Sequence, residues 1–133
     1  MRISTKGRHA VMAMVDIARH SEERPVPLAD VAQRQLISLS YLEQLVSKLK
    51  KNALVKSMRG PGGGYVLASD PALISIYQIV AAVDTPSQAE RPMPHGEGQT
   101  ARKLTDALWH RVGEEVQKYL KAVTLAEVVH RKS

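Results

Sequence analysis

Lys48, Lys50, Lys51, Lys56 and Arg59 fall within twelve residues that contain no acid, and Gly60-Pro-Gly-Gly-Gly64 follows directly. Cations at this density attract phosphate, and glycine permits positive φ and close backbone approach to a ligand. A nucleotide-cradling loop is one chemistry to weigh, and it fails. No Gly-Lys-Ser/Thr follows, and the strand-like run Tyr65–Ala68 stands where a helix is required. A nucleic-acid duplex is the better fit, with a basic helix in a groove and a flexible basic tip on the phosphates or in the adjacent groove.

The bulk composition agrees. The chain has 133 residues, a formal net charge of +6 and a pI near 9.8. Residues 1–70 hold 11 Lys/Arg against 6 Asp/Glu, whereas residues 71–133 hold 8 against 7, so the excess sits in the first half. Clustered positive charge points to a polyanionic partner. Cysteine is absent, which excludes disulfides, thiolate metal sites and cysteine nucleophiles. No nucleophile–base pair, metal cluster or carboxylate dyad supports an enzyme. Asp16 and Arg19 interrupt any signal-like apolar run. No stretch approaches the ~20 apolar residues of a membrane span. The expectation is a cytoplasmic, non-enzymatic protein with no membrane association.

The elements that would carry the basic cluster follow from periodicity. Residues 5–20 read as a helix capped by Ser4 or Thr5, with Val11, Met14, Val15 and Ala18 inward. Lys6 and Arg8 sit in its first turn, where a bound anion would relieve them. Val26 is a short extended piece. Leu28–Gln35 is a second helix, joined by a tight turn to a third that Ser38 caps, and the pair makes a helix-turn-helix. Leu42, Leu45, Val46 and Leu49 form the buried stripe of the third helix, and Ser40, Tyr41, Gln44, Ser47, Lys48 and Lys51 lie on or near the other face. Glu can accept from a cytosine amino group and Gln can pair with adenine, so Glu43 and Gln44 are suited to base edges. Ser40 and Glu43 also have capping-box spacing, a structural alternative for Glu43.

Leu54–Arg59 and Tyr65–Ala68 read as a hairpin with the glycine tip between them. Arg59 stands where it could enter a narrow minor groove. Ser75 and Gln78 cap a fourth helix with Ile76, Ile79, Val80 and Val83 inward. Residues 85–100 read as a linker rich in proline and polar residues. Residues 102–123 form the longest helix, with Leu104, Leu108, Val112, Val116, Tyr119, Leu120 and Val123 in one stripe. A helix this long after a loose linker is expected to pack on a second copy, with Trp109 as an anchor. Thr124 and Glu127 form a capping box that starts a last helix, Leu125–His130.

Five stretches together carry a resemblance. Met1–Val11, Pro25–Asp30, Ile37-Ser-Leu-Ser-Tyr-Leu-Glu-Gln-Leu45, Arg59-Gly-Pro-Gly-Gly-Gly-Tyr65 and Ala107-Leu-Trp109 closely resemble the IscR-like family of winged-helix regulators, which are built around an iron–sulfur cluster. The similarity covers residues 1–84 almost without gaps and resumes at 103–129. It implies a homodimeric transcription repressor acting on a pseudo-palindromic operator. The third helix would enter a major groove and the wing around Arg59, Gly60, Pro61, Gly62 and Gly63 the adjacent minor groove. Ser38, Ser40, Tyr41, Glu43 and Gln44 would approach bases and phosphates.

The departures from the family bear on its switch. Such proteins hold a two-iron, two-sulfur cluster with three cysteines before the long helix and a histidine on its first turn. Here one cysteine position is Lys103 and the histidine position is Asp106. A thiolate-ligated cluster is therefore impossible, and no cofactor is expected. His95, Glu97 and Asp106 are the remaining N and O donors, a set suited to zinc or ferrous iron. A regulator without its own sensor could instead be controlled by a protein partner docked on the linker and long helix. The family also favours glycine at positions 36 and 53, where this chain has Leu36 and Ala53. Either residue is strained if it must be left-handed; alternatively the turns adjust, with Asn52 taking the left-handed position.

The resulting expectation is a mostly α fold with a small β-hairpin wing, a winged helix-turn-helix followed by a long C-terminal dimerisation helix. Residues 1–84 would form the DNA-binding domain, 85–101 a linker or vestigial sensor loop, and 102–133 the dimerisation helix with a short final helix.

Overall fold

The computed structural model describes residues 3–84 and 99–131. Six α-helices and one hairpin follow in order: α1 Thr5–His20, α2 Leu28–Gln35, α3 Leu39–Lys51, β1 Val55–Met58, β2 Gly64–Leu67, α4 Ile76–Val83, α5 Gln99–Ala122 and α6 Leu125–Val129. A single 3-10 turn, Pro71–Leu73, precedes α4. Every expected element is present, displaced by at most a few residues. The largest shift is at α5, which begins at Gln99, within the stretch expected to be linker. The rest of that linker, with His95 and Glu97, lies outside the described residues. Among the described residues, no helix is long and apolar enough to cross a membrane.

Helix ends are set by the side chains that the chain places there. Ser4 accepts from the Gly7 amide, Ser38 from the Tyr41 amide, and Ser75–Gln78 and Thr124–Glu127 each form a complete capping box. Each satisfies backbone donors that the helix start leaves open. Ser4 also donates to Asp84, which ties the end of α4 to the start of α1.

One core joins all the helices. Leu42, Leu45, Val46 and Leu49 of α3 and Ile76, Ile79, Val80 and Val83 of α4 are buried as their periodicity predicts. Helix α1 is rotated from its expected face. Ala10, Ala13, Met14 and Ile17 are fully buried, while Val11, Val15 and Ala18 are only partly so. Gly7, buried on the same helix, marks how closely α4 approaches: a Cβ there would lie 2.8 Å from the Asp84 carboxylate and 3.3 Å from Val80. The C-terminal end of α5 and α6 belong to the same core, through Leu120, Val123 and Leu125. They are fastened to the entry of α4 by Ile76 N–H donating to the Val123 carbonyl (2.9 Å) and Leu125 N–H to that of Ile74 (2.8 Å).

β1 and β2 pair antiparallel, with Val55 opposite Leu67 and Met58 opposite Gly64. Val26 extends the hairpin on its other edge by exchanging two backbone hydrogen bonds with Tyr65, of 2.9 and 2.8 Å.

Candidate nucleic-acid interface

Helix α3 and the hairpin present the basic cluster on one continuous stretch of chain. Ser38, Ser40, Glu43, Gln44, Ser47, Lys50 and Lys51 are exposed, and Lys48 is half-buried. Ser38 is the cap of α3, and its hydroxyl oxygen already accepts from Tyr41 N–H at 3.2 Å. The Ser40–Glu43 box does not form, because Ser38 holds the cap. Glu43 therefore stands exposed and free of a hydrogen bond among the described residues, a polar group with unused acceptors on the outer face. Lys50 is committed differently: its ammonium donates to Ser57 Oγ at 2.9 Å and braces the helix against β1.

Tyr41 is half-buried and does not simply point outward. Its hydroxyl lies 2.9 Å from His9 Nδ1 on α1, and the two rings meet edge to face with centroids 5.4 Å apart. His9 was not among the expected site residues. Its type and position in α1 carried no signal without knowledge of how α1 crosses α3.

The wing tip is a tight turn. Gly63 N–H donates to the Gly60 carbonyl at 2.9 Å, Pro61 occupies the first corner, and Gly62 the second with φ 73°. Pro followed by a positive-φ glycine is the chemistry of a type II turn. Arg59, Gly60, Pro61 and Gly62 are exposed, and Gly63 is partly covered. Gly64 fixes where the wing sits: a Cβ there would lie 2.4 Å from the backbone of Val26. Only glycine lets β2 come this close to the Val26 segment.

The angle between the first helices is set by a buried carboxylate. Asp16 is 3% exposed. Arg34 grips it with two hydrogen bonds of 2.6 and 3.0 Å, and Gln35 adds one of 2.8 Å. His20 Nδ1 lies 3.5 Å from the carboxylate and 2.8 Å from the Asp16 carbonyl. Burial pushes the Asp16 carboxyl up, but the hydrogen bonds from Arg34 and Gln35 and the positive charges of Arg34 and His20 outweigh it, so it titrates below the usual carboxylate range. The same pairing raises Arg34 further. A charge among Ala13 and Ile17 on the buried face of α1 was the available signal for this clamp, which orients the helix-turn-helix.

Both family glycine positions are resolved. Leu36 ends α2 at φ 57°, ψ 44°, and Ala53 has φ 58°. Asn52, at φ −95°, does not take the left-handed position and instead caps α3 through its own side chain on the Lys48 carbonyl. Leu36 is 90% exposed, so the strained residue gains no packing in its own chain.

Helix α5 divides in two. Residues 100–112 are exposed throughout, including Leu104, Leu108, Trp109 and Val112, and Tyr119 is exposed further along. Val116 packs partly against the core. Leu120 is 9% exposed and lies in the core of its own chain, which corrects its expected place at a subunit interface. A 24-residue helix outruns the small domain under it, so only its last turns find internal partners. Asp106 is exposed on the first half. Among the described residues, no three His, Cys, Asp or Glu side chains gather as a metal site would need. With no cysteine in the chain, the donor set does not fit a thiolate-bound cluster.

A capped recognition helix, a preceding helix held to it across a short turn and a glycine-tipped hairpin define a winged-helix DNA-binding protein. Residues 3–131 match the Rrf2 family, described as an iron-dependent transcriptional regulator, and the chain belongs to that family. The HTH-type transcriptional regulator IscR of Klebsiella pneumoniae (strain 342) is 50% identical over 131 residues, covering 98% of this chain and 80% of that protein. IscR of Yersinia pestis is 49% identical over the same lengths. Among solved structures, T. potens IscR is similar with TM-score 0.78 and 36% identity, covering 97% of this chain and 86% of that one. CymR, the global cysteine regulator of B. subtilis, has TM-score 0.80 and 34% identity over 100% and 99% of the two chains. The protein is thus a non-enzymatic, IscR-like transcription regulator that binds DNA.

Proposed function

We propose that the protein is a repressor that reads a pseudo-palindromic operator as a homodimer, without a cysteine-ligated cluster. The observation that carries this reading is the run of exposed polar and basic side chains between Ser38 and the wing tip. Ser40, Glu43 and Gln44 are exposed on the first turns of α3, Lys48 and Lys51 follow on its last turns, and Arg59 and the glycine tip lie beyond. Ser38, Ser40, Glu43 and Gln44 meet base edges and nearby phosphates in a major groove. Lys48 and Lys51 bind phosphate. Arg59, Gly60, Pro61, Gly62 and Gly63 ride the adjacent minor groove. The second copy packs along Leu104, Leu108, Trp109 and Val112, whose exposure on a projecting helix supports an interface between two copies. Two-fold pairing places the reading helices one or more helical turns apart, about 34 Å each.

A gel-shift titration at several salt concentrations tests the reading. Wild-type affinity falls steeply with salt, by a slope of about 0.9 for each phosphate neutralised. Reversing the charge at both Lys48 and Lys51 abolishes binding at moderate salt. Undiminished binding by that double variant would contradict the assignment.

A further inference from the structure

His9 belongs to α1, outside the reading helix, yet it holds the one polar atom of Tyr41. Its Nδ1 lies 2.9 Å from the phenolic oxygen, and the ring stands at 80° to the phenol. Both residues are half-buried. Tyr41 sits in the first turn of α3, and Lys6 and Arg8 are exposed in the first turn of α1.

A phenol has one proton and two lone pairs. In the neutral tautomer that carries its proton on Nε2, Nδ1 accepts the Tyr41 proton, and the hydroxyl then presents only lone pairs outward. When the imidazole is protonated, Nδ1–H donates to the Tyr41 oxygen, and the O–H turns outward. Phosphate oxygens accept hydrogen bonds and do not donate them, so only the second arrangement suits them. We propose that His9 is a positioning residue for Tyr41, one that sets whether the hydroxyl offers its proton to a DNA phosphate at the start of α3. This rests on α3 being the DNA-reading helix.

The elements packed on α1 and α3 carry other charged and titratable groups. On α1 these include Lys6, Arg8, Asp16, Arg19 and His20, and on α2 Asp30 and Arg34. On α3 they are Glu43 and the lysines 48, 50 and 51. Tyr65 lies on β2, Tyr77 and Asp84 are at α4, and Glu127 is on α6. None is hydrogen-bonded to the His9 ring, and no carboxylate lies within ion-pair distance of it among the described residues. Tyr41 is thus its sole polar partner there. Protonating the ring fills Nδ1 and removes the accepting arrangement, which links DNA affinity to pH, with tighter binding on the acid side.

The test uses the full-length protein and the duplex that the wild type enriches from a random pool. Dissociation constants are measured by fluorescence anisotropy from pH 5.5 to 8.0 for wild type, His9→Phe, His9→Asn and Tyr41→Phe. Wild-type binding tightens roughly ten- to a hundredfold toward pH 5.5, the worth of one hydrogen bond to a charged acceptor. His9→Phe keeps the edge-to-face contact but loses the pH slope. His9→Asn, whose amide reaches toward the Nδ1 position, recovers affinity at pH 8.0 without recovering the slope. Tyr41→Phe is as flat as His9→Phe. A wild-type slope that survives in His9→Phe or Tyr41→Phe belongs to another histidine and overturns the proposal alone. Failure of the wild type to enrich any duplex overturns the operator-reading assignment and this proposal with it.

Discussion

Replacing Leu36 with glycine should make the protein more stable. Leu36 sits at φ 57°, ψ 44°, where a Cβ crowds the following carbonyl at a cost of about 1–2 kcal/mol. Its side chain is 90% exposed, so removing it forfeits almost no buried apolar area. Glycine gives back part of the gain, about 0.4–1 kcal/mol, through the greater freedom of the unfolded chain. The net expectation is a stabilisation of ~0.5–1 kcal/mol. Ala53, at φ 58° and also exposed, should respond alike, and the two effects should nearly add because they lie in separate turns. For a chain of this size the double variant should melt roughly 3–8 °C higher. The assay is thermal and urea unfolding at fixed protein concentration, since self-association shifts both. Leu36→Ala is the control: it removes the same exposed side chain but keeps the Cβ, so it should change little. If Leu36→Gly destabilises, or if Leu36→Ala stabilises as much, backbone strain is not what the left-handed residue contributes.

Three further outcomes follow from other parts of the structure. Asp16 titrates below its unfolded value of about 3.8, so its contribution to stability is complete above that pH and is lost as pH falls through the lower folded value. Acid unfolding curves of Asp16→Asn should therefore be flatter below pH 4 than those of wild type, and Asp16→Ala, which strips Arg34 of its partner, should cost about 2–4 kcal/mol near neutrality. Gly64→Ala drives a Cβ into the Val26 backbone and should cost about 2–3 kcal/mol in urea melts while weakening DNA binding through a displaced wing. Leu108→Glu combined with Trp109→Glu places charge on the exposed half of α5 and should yield monomers by sedimentation without lowering helical content, because neither side chain supports its own domain.

The sequence disclosed the architecture wherever polar and apolar residues alternate with a clean helical period. The stripes of α3 and α4 and the boxes at Ser75–Gln78 and Thr124–Glu127 are recovered as read, because capping and burial there are local properties. The α1 face was read one step off, since Ala10 and Ala13 are fully buried but bury little area, and Gly7, which α4 approaches closely, carries no apolar signal. Leu120 looked like its exposed neighbours on α5, and only the docking of the helix's last turns onto α4 separates it from them. The exposed, polar face of α3 was legible, whereas the Asp16–Arg34 clamp and the His9–Tyr41 pair join residues 18 and 32 positions apart and appear only when the helices are crossed. At Leu36 and Ala53 the two readings of the turn were both sterically open, and the backbone itself decided for strain.

In the proposed function, two copies of this chain form one reading head for a two-fold operator, independent of any metal. Selection of bound duplexes from a random pool, run with and without iron and zinc, tests it most directly. The expected result is enrichment of a pseudo-palindrome whose half-sites are separated by one or more turns of about 34 Å, the same in every metal condition. Enrichment of single asymmetric sites, or enrichment that appears only with a metal present, would contradict it.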